Sequence, residues 1–415
     1  MDHARAARRI TRTLFLAQSL GSAGQVAIFP IVAILGAQLS GRPSWAGVPS
    51  MVYLLGSAFS ALGWGHLMER IGRRRTLVLG LSLGVVAGTL GVIAVLTRSL
   101  GIFLIGAAFT GFAVSCVQLS RFVAAEVHPP AQRARAISNV VLGGTVGAVA
   151  GPLMAGPVAR MVKAAGYDEL AGPFGVMLVL FALGAFVVFA WLRPEPKDLA
   201  RTLGHSAGAR VADGPARRIG EIVQYRAAAV AMTAMVFGQL VMVMLMTITP
   251  LHMRGHDHAL SSISFVISTH VVGMYAFSVI SGRLADRWGR APVIVSGGAV
   301  LVLACLSATL SPQVLPMSAA LFLLGLGWNF CYVAGSSLLS DRLSPAERAR
   351  TQGFNDLLIG LVSAVGGLSS GIVFAAIGYG AMALVGAAAA LIPLTLAAWW
   401  VARSRVVPAV VGVAK

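Results

Sequence analysis

Long stretches in which nearly every position is apolar alternate along the chain with short polar segments rich in arginine. The apolar stretches fall at about 13–40, 46–66, 76–97, 100–126, 137–159, 171–192, 226–251, 260–281, 292–310, 314–340, 352–377 and 380–402. Crossing a hydrocarbon core of about 30 Å takes roughly 20 helical residues, which each stretch supplies. The runs are unbroken, so they predict helices that satisfy their own backbone in lipid; barrel strands would alternate in short segments. The fold class expected is an all-α integral membrane protein with twelve transmembrane helices. The first run is too long for a signal-peptide core and no small-residue cleavage site precedes the second, so it is expected to be retained.

The polar segments repeat at a spacing of about 215 residues. Gly65-His66-Leu67-Met68-Glu69-Arg70-Ile71-Gly72-Arg73-Arg74-Arg75 follows the second run. Gly282-Arg283-Leu284-Ala285-Asp286-Arg287-Trp288-Gly289-Arg290 follows the eighth. Pro130 to Arg135 and Pro345 to Arg350 agree at five of six positions. Gly24-Gln25 and Gly238-Gln239 match in the first and seventh runs. These matches predict two pseudo-symmetric six-helix bundles, residues 1–192 and 226–415, joined by a polar cytoplasmic linker at 193–225.

Composition sharpens this picture. The chain of 415 residues is 57% hydrophobic and 11% charged, with a mean hydropathy of +0.83. A water-facing surface usually carries about 25% charged residues, so a soluble protein is excluded. The net charge of +18 raises nucleic acid as a partner, but its distribution excludes that reading. With both termini placed in the cytoplasm, 26 of the 32 Lys and Arg fall on the inner side and 5 on the outer. That is the positive-inside bias, and it predicts a multi-pass protein of a bacterial cytoplasmic (inner) membrane whose partners are the bilayer and a small solute or metal ion. A monomer is expected. Cys116, Cys305 and Cys331 sit within apolar runs and read as packing residues. No phosphate loop ending in GK[ST], no nucleophile–base pair and no catalytic carboxylate pair is evident, so neither ATP-driven transport nor an enzyme is expected, and no cofactor.

The loop pattern G-x-L-x-D-R-x-G-R-R, present in both halves with Glu69 in place of the first acid, resembles the signature of the major facilitator superfamily. The resemblance covers nearly the whole chain. It implies two bundles around a central cavity and transport by alternating access. It also implies that Glu69, Arg73, Glu126, Asp286, Arg290 and Asp341 form an inner-gate charge cluster that stabilises the outward-open state, without saying which arginine pairs with which acid; the plainer reading is solvated charge at a membrane boundary. The segment Gly147 to Gly156 is similar to the antiporter motif, with Gly147, Gly151 and Pro152 expected in helix packing or a hinge. One departure is the fourth-span arginine common in drug–proton antiporters, which would fall near Ala107 and is absent.

Intramembrane polar groups are the candidate substrate contacts. The ionisable ones are Arg121, His270 and Asp356; Gln25, Gln239 and Asn329 are the leading neutral ones, either lining a cavity or bonding between helices. Seven of fifteen methionines lie between 232 and 274. Met242 and Met246 share one helix face, as do His270 and Met274 on the next helix, at matching depth. Thioethers with imidazole suit Cu(I). The two pairs also resemble the metal motifs of the CcoA-like copper importers, so Met242, Met246, His270 and Met274 are the candidate metal set, with Cu⁺ as substrate. The functional readings are therefore copper uptake, proton-coupled efflux of amphipathic organic compounds, or a membrane receptor or scaffold that transports nothing.

Overall fold

The computed structural model describes residues 3–204, 219–341, 343 and 345–406. The middle of the predicted linker, 205–218, lies outside the described residues. Among the described residues the chain is helical throughout, with no strand. Ten helices among the described residues are long and apolar enough to cross a membrane, and a bent pair, Pro43–Ser60 with Gly63–Ile71, makes an eleventh. The last of the ten belongs to Pro345–Val406, a helix of 62 residues. At 1.5 Å per residue this would be about three times the hydrocarbon thickness. It turns back at Gly378, whose φ of 78° an L side chain rarely adopts, and so counts as two spans. The twelve predicted passes are thereby accounted for.

The spans that break do so for identifiable reasons. The first is His3–Ala27 followed by Phe29–Ser40. Pro30 has no N–H to give the preceding turn, and its ring displaces the carbonyl it would have met, so the helix kinks at Ile28. The eighth is Leu260–Tyr275 followed by Ser278–Trp288, parted by a turn at Ala276 and Phe277.

Spans one, five and six pack together, as do three with four and six, and two with four. In the last six, the ninth packs on the tenth and twelfth, the seventh on the tenth and eleventh, and the eighth on the tenth. The repeat is visible in packing detail. Cys116 fills the groove at Gly80, where an added Cβ would lie 2.4 Å from its Sγ; Cys331 does the same at Gly297, at 2.8 Å. All three cysteines are buried and unpaired.

Gly147 and Gly151 of the fifth span, Pro130–Ala164, lie against the first span's backbone. A Cβ on Gly147 would sit 2.0 Å from the Ser19 carbonyl oxygen, and one on Gly151 2.3 Å from that of Ala23. The Ser22 hydroxyl donates across the same seam to the Gly144 carbonyl at 2.7 Å. Pro152 follows within the same helix. Gly151→Ala is expected to cost about 1–3 kcal/mol, because the new methyl meets backbone that cannot rotate away. Gly175→Ala, which meets nothing within 4 Å, is expected to change stability by under about 0.5 kcal/mol. Thermal unfolding in detergent measures both.

Candidate functional site

A cavity of about 420 Å³ lies between the two sets of six spans. Its wall draws mainly on spans one, two, four and five from the first set, with Gly91 of the third and Phe174 of the sixth, and on seven, eight, ten and eleven from the second. Gln25 and Gln239, the repeat-related amides, both line it. Gln25 Nε2 donates to Tyr53 Oη at 2.7 Å. Gln239 accepts from Trp328 Nε1 at 2.7 Å and donates to Ser363 Oγ at 3.0 Å. Each amide therefore both faces the cavity and ties neighbouring spans together. Tyr275 meets Trp328 edge-on at 6.2 Å, and Trp328 stacks on Tyr332 at 4.9 Å, giving one wall an aromatic face.

Met242, Met246 and Met274 line this cavity; His270 does not. The expected convergence of the four thus fails at the histidine. Its ring is fully buried and its Nδ1–H donates to the Leu321 carbonyl at 2.8 Å, which turns it sideways against the tenth span. The close approach of that span explains this: a Cβ on Gly325 would lie 2.3 Å from the His270 carbonyl oxygen. Among the described residues no group of three or more His, Cys, Asp or Glu is arranged to hold a metal ion.

Asn329 is also not a cavity residue. It is 1% exposed and its Nδ2 donates to the Met274 carbonyl at 2.6 Å and to Ser278 Oγ at 2.8 Å. Its Oδ1 accepts from the Ser281 hydroxyl. The break in the eighth span frees the Met274 carbonyl, and a free carbonyl in a dry interior is costly. Asn329 supplies the missing donor from the tenth span.

The charge clusters at the terminal side resolve into two equivalent clamps. Arg73 pairs with Glu126 through Nε–Oε2 at 2.9 Å and Nη2–Oε1 at 3.2 Å, and donates to the Met68 carbonyl at 3.2 Å. Arg290 pairs with Asp341 at 3.2 Å and Asp286 at 2.5 Å, and donates to the Ala285 carbonyl at 2.7 Å. In each, a glycine of positive φ, Gly72 at 93° or Gly289 at 91°, turns the chain so that the arginine opens the next helix and folds back on the last. Glu69 stays exposed, outside its clamp. Glu195 takes a place nothing in the sequence marked, accepting from the Arg73 backbone N–H at 2.6 Å and capping the third span, Arg73–Thr97.

Each clamp joins spans of one half, so neither bridges the halves. The bridge lies on the other side, where Arg254 Nη2, in the last turn of the seventh span, meets Glu169 Oε1 in the turn before the sixth at 2.6 Å. Nearby the chain closes without room for a methyl group: Cβ atoms on Gly47 and Gly156 would overlap Gly367 and Ser261. By contrast, His3–Ala27 and Ser278–Trp288, at the terminal side, make their main contacts within their own halves. The cavity is sealed on the side away from the termini. Lys163 also approaches Glu169, at 3.7 Å, and nothing in the sequence marks Glu169 or Arg254 as partners among the other charges on that side.

With this geometry in view, the chain is a multi-pass membrane transporter rather than an enzyme. The model of the Major Facilitator Superfamily matches residues 14–261 and 231–413, and the chain belongs to that family. It is 36% identical over 395 residues, 94% of this chain and 91% of the relative, to "Uncharacterized MFS-type transporter YdeG" of Bacillus subtilis (strain 168). It is 30% identical over 359 residues, 86% of this chain and 87% of the other, to "Riboflavin transporter RfnT" of Brucella anthropi. The solved D-xylose–proton symporter shares the fold at a TM-score of 0.70 and 17% identity, covering 94% of this chain and 97% of that one. A bacterial Spinster homologue described as inward-facing and unoccupied gives 0.66 at 16% identity, covering 96% and 97%.

If Arg254 and Glu169 hold the far side shut, Glu169→Gln weakens that closure by about 1 kcal/mol and opens the far side about fivefold more often. A cysteine replacing Ser50, which lines the cavity, reads this through a membrane-impermeant thiol reagent added from the far side. An unchanged labelling rate would make the ion pair incidental.

Proposed function

We propose that this chain is a carrier of the bacterial cytoplasmic membrane, with both termini in the cytoplasm, that moves an amphipathic organic solute with a planar aromatic body. The observation that carries this reading is the composition of the cavity wall. Paired amides, tyrosines, a tryptophan and three thioethers offer stacking surface, a few fixed hydrogen bonds and a pliable apolar side. Two features lend further support. The relative named as a riboflavin transporter aligns over most of both chains. The positive-inside distribution supports the proposed orientation. The multidrug relative MdtL aligns over only 22% of this chain and adds little to an efflux reading.

Copper uptake is the second reading, and Met242, Met246 and Met274 on the wall are its support. It lacks the imidazole, because moving His270 into the cavity would leave the Leu321 carbonyl bond behind. It also lacks any nearby carboxylate among the described lining residues. Gating by the two arginine clamps fits either solute: each stiffens the terminal rim of its own half, so the halves swing as units.

Protein reconstituted in liposomes is expected to take up riboflavin and not Cu⁺. Met242→Leu keeps volume and apolarity, so it is expected to leave riboflavin affinity within about twofold. Gln239→Leu strips the acceptor from Trp328 and is expected to weaken binding about tenfold. Copper uptake that Met242→Leu abolishes would favour the second reading. Failure of folded protein to move copper or any aromatic solute in a broad panel would favour a receptor or scaffold.

A further inference from the structure

Arg121 is the one charged side chain among the described residues lining the cavity. It belongs to the fourth span, in the short helix Ser120–Glu126 that continues Leu100–Gln118 toward the terminal side. Its Nε is shielded from solvent and has no hydrogen-bond partner. The guanidinium forms no salt bridge among the described residues and rests over the Phe122 ring at 4.9 Å. Two other groups feel its charge across the gap, Asp356 of the eleventh span and Tyr332 of the tenth. Asp356 is exposed and not within ion-pair distance of Arg121, and it does not line the cavity. The cavity is therefore left with an excess positive charge at one end.

We infer that Arg121 is the anchor for an oxyanion on the transported solute, so that among aromatic solutes the carrier prefers an organic anion over its neutral counterpart. The inference rests on the organic-solute reading above. An arginine whose Nε is shielded from solvent without an acceptor is held at a desolvation cost, which a ligand carboxylate or phosphate removes. Its planar fork takes two oxygens side by side and keeps its charge at any working pH. Neighbouring side chains suit the same group. Gln118, one turn before Arg121, lines the cavity. Gln18 lines it too, and its Oε1 already accepts from the Ser120 hydroxyl at 2.9 Å. Its Nε2 lies beside Gly144, 3.2 Å from where a Cβ would stand, and is the part of that amide left to donate. The three donors stand on spans one and four of the first half. The thioethers and Trp328 come from the second. A solute held at both ends would then tie the halves together, as alternating access requires.

The test measures binding to purified protein of two matched pairs: riboflavin with riboflavin phosphate, and naphthylmethanol with naphthoate. Quenching of tryptophan fluorescence reports binding, since Trp328 is in the wall. In the wild type the anionic member of at least one pair is expected to bind about 10- to 100-fold more tightly than its neutral partner. Arg121→Gln is expected to remove that advantage while leaving neutral binding unchanged, and Arg121→Lys to keep most of it. Neutral members that bind as well as anionic ones, with Arg121→Gln silent, overturn the inference and leave the organic-solute reading standing. Equal loss of both members in Arg121→Gln and Arg121→Lys assigns the arginine to structure and overturns the inference as well. Binding by no member of either pair removes the organic-solute reading, and the inference falls with it.

Discussion

In hydrocarbon every backbone N–H and C=O must find its partner inside the protein, and that requirement decides where this chain breaks its helices. Breaks occur at Ile28, at Ala276–Phe277 and at Gly378, and at the second of these the repair is explicit. Asn329 reaches from the tenth span to the Met274 carbonyl that the break has freed. The repair locks spans eight and ten into one unit. It also fixes the direction in which Met274 and Tyr275 face the cavity. The same demand for close, dry packing places glycines wherever two backbones meet, and along the seam of spans one and five they leave no room for a methyl group.

Two rigid halves follow from that packing, and the arginine clamps complete each one at its terminal rim. Arg73 and Arg290 cap the end of one helix, open the next and hold an acid of a third. The clamps are repeated, whereas the closure between halves is not. Arg254 and Glu169 have no counterparts within the repeat, and they act on the side away from the termini. An arrangement with internal bonds in each half and few between them suits motion of the halves as units. The cavity sits where such motion would expose it first to one side and then to the other.

Much of this was legible in the sequence. The twelve passes follow from run length, and the repeat follows from the paired loops and the Gly-Gln pairs. Of the six residues expected in the clamps, Glu69 lies outside, and the pairing of the others depends on which helices are neighbours. His270 shows the limit. Helical spacing places Met274 on its face and equal depth places Met242 nearby, but neither says which neighbour a buried ring turns toward. The Leu321 carbonyl decided that. For Asn329 both cavity lining and bonding between helices stayed open, because a break in the eighth span has no proline to announce it. Glu195 and Glu169 lie in loops, where spacing carries no information about contact. Arg121 was visible as an intramembrane charge, yet its lack of a partner appears only in three dimensions.

The central claim is that the halves move reciprocally about the cavity, with the far side closed in this structure. Spin labels at exposed Tyr167 and Asp257 report the far rim, and labels at exposed Ile71 and Trp288 report the terminal rim. Pulsed electron-spin distances would be recorded for both pairs in membranes, with and without bound solute and in Glu169→Gln. The account predicts that any condition lengthening the far-rim distance shortens the terminal-rim distance in the same population. Distances that lengthen together, or a far rim that never opens while solute is transported, would contradict it.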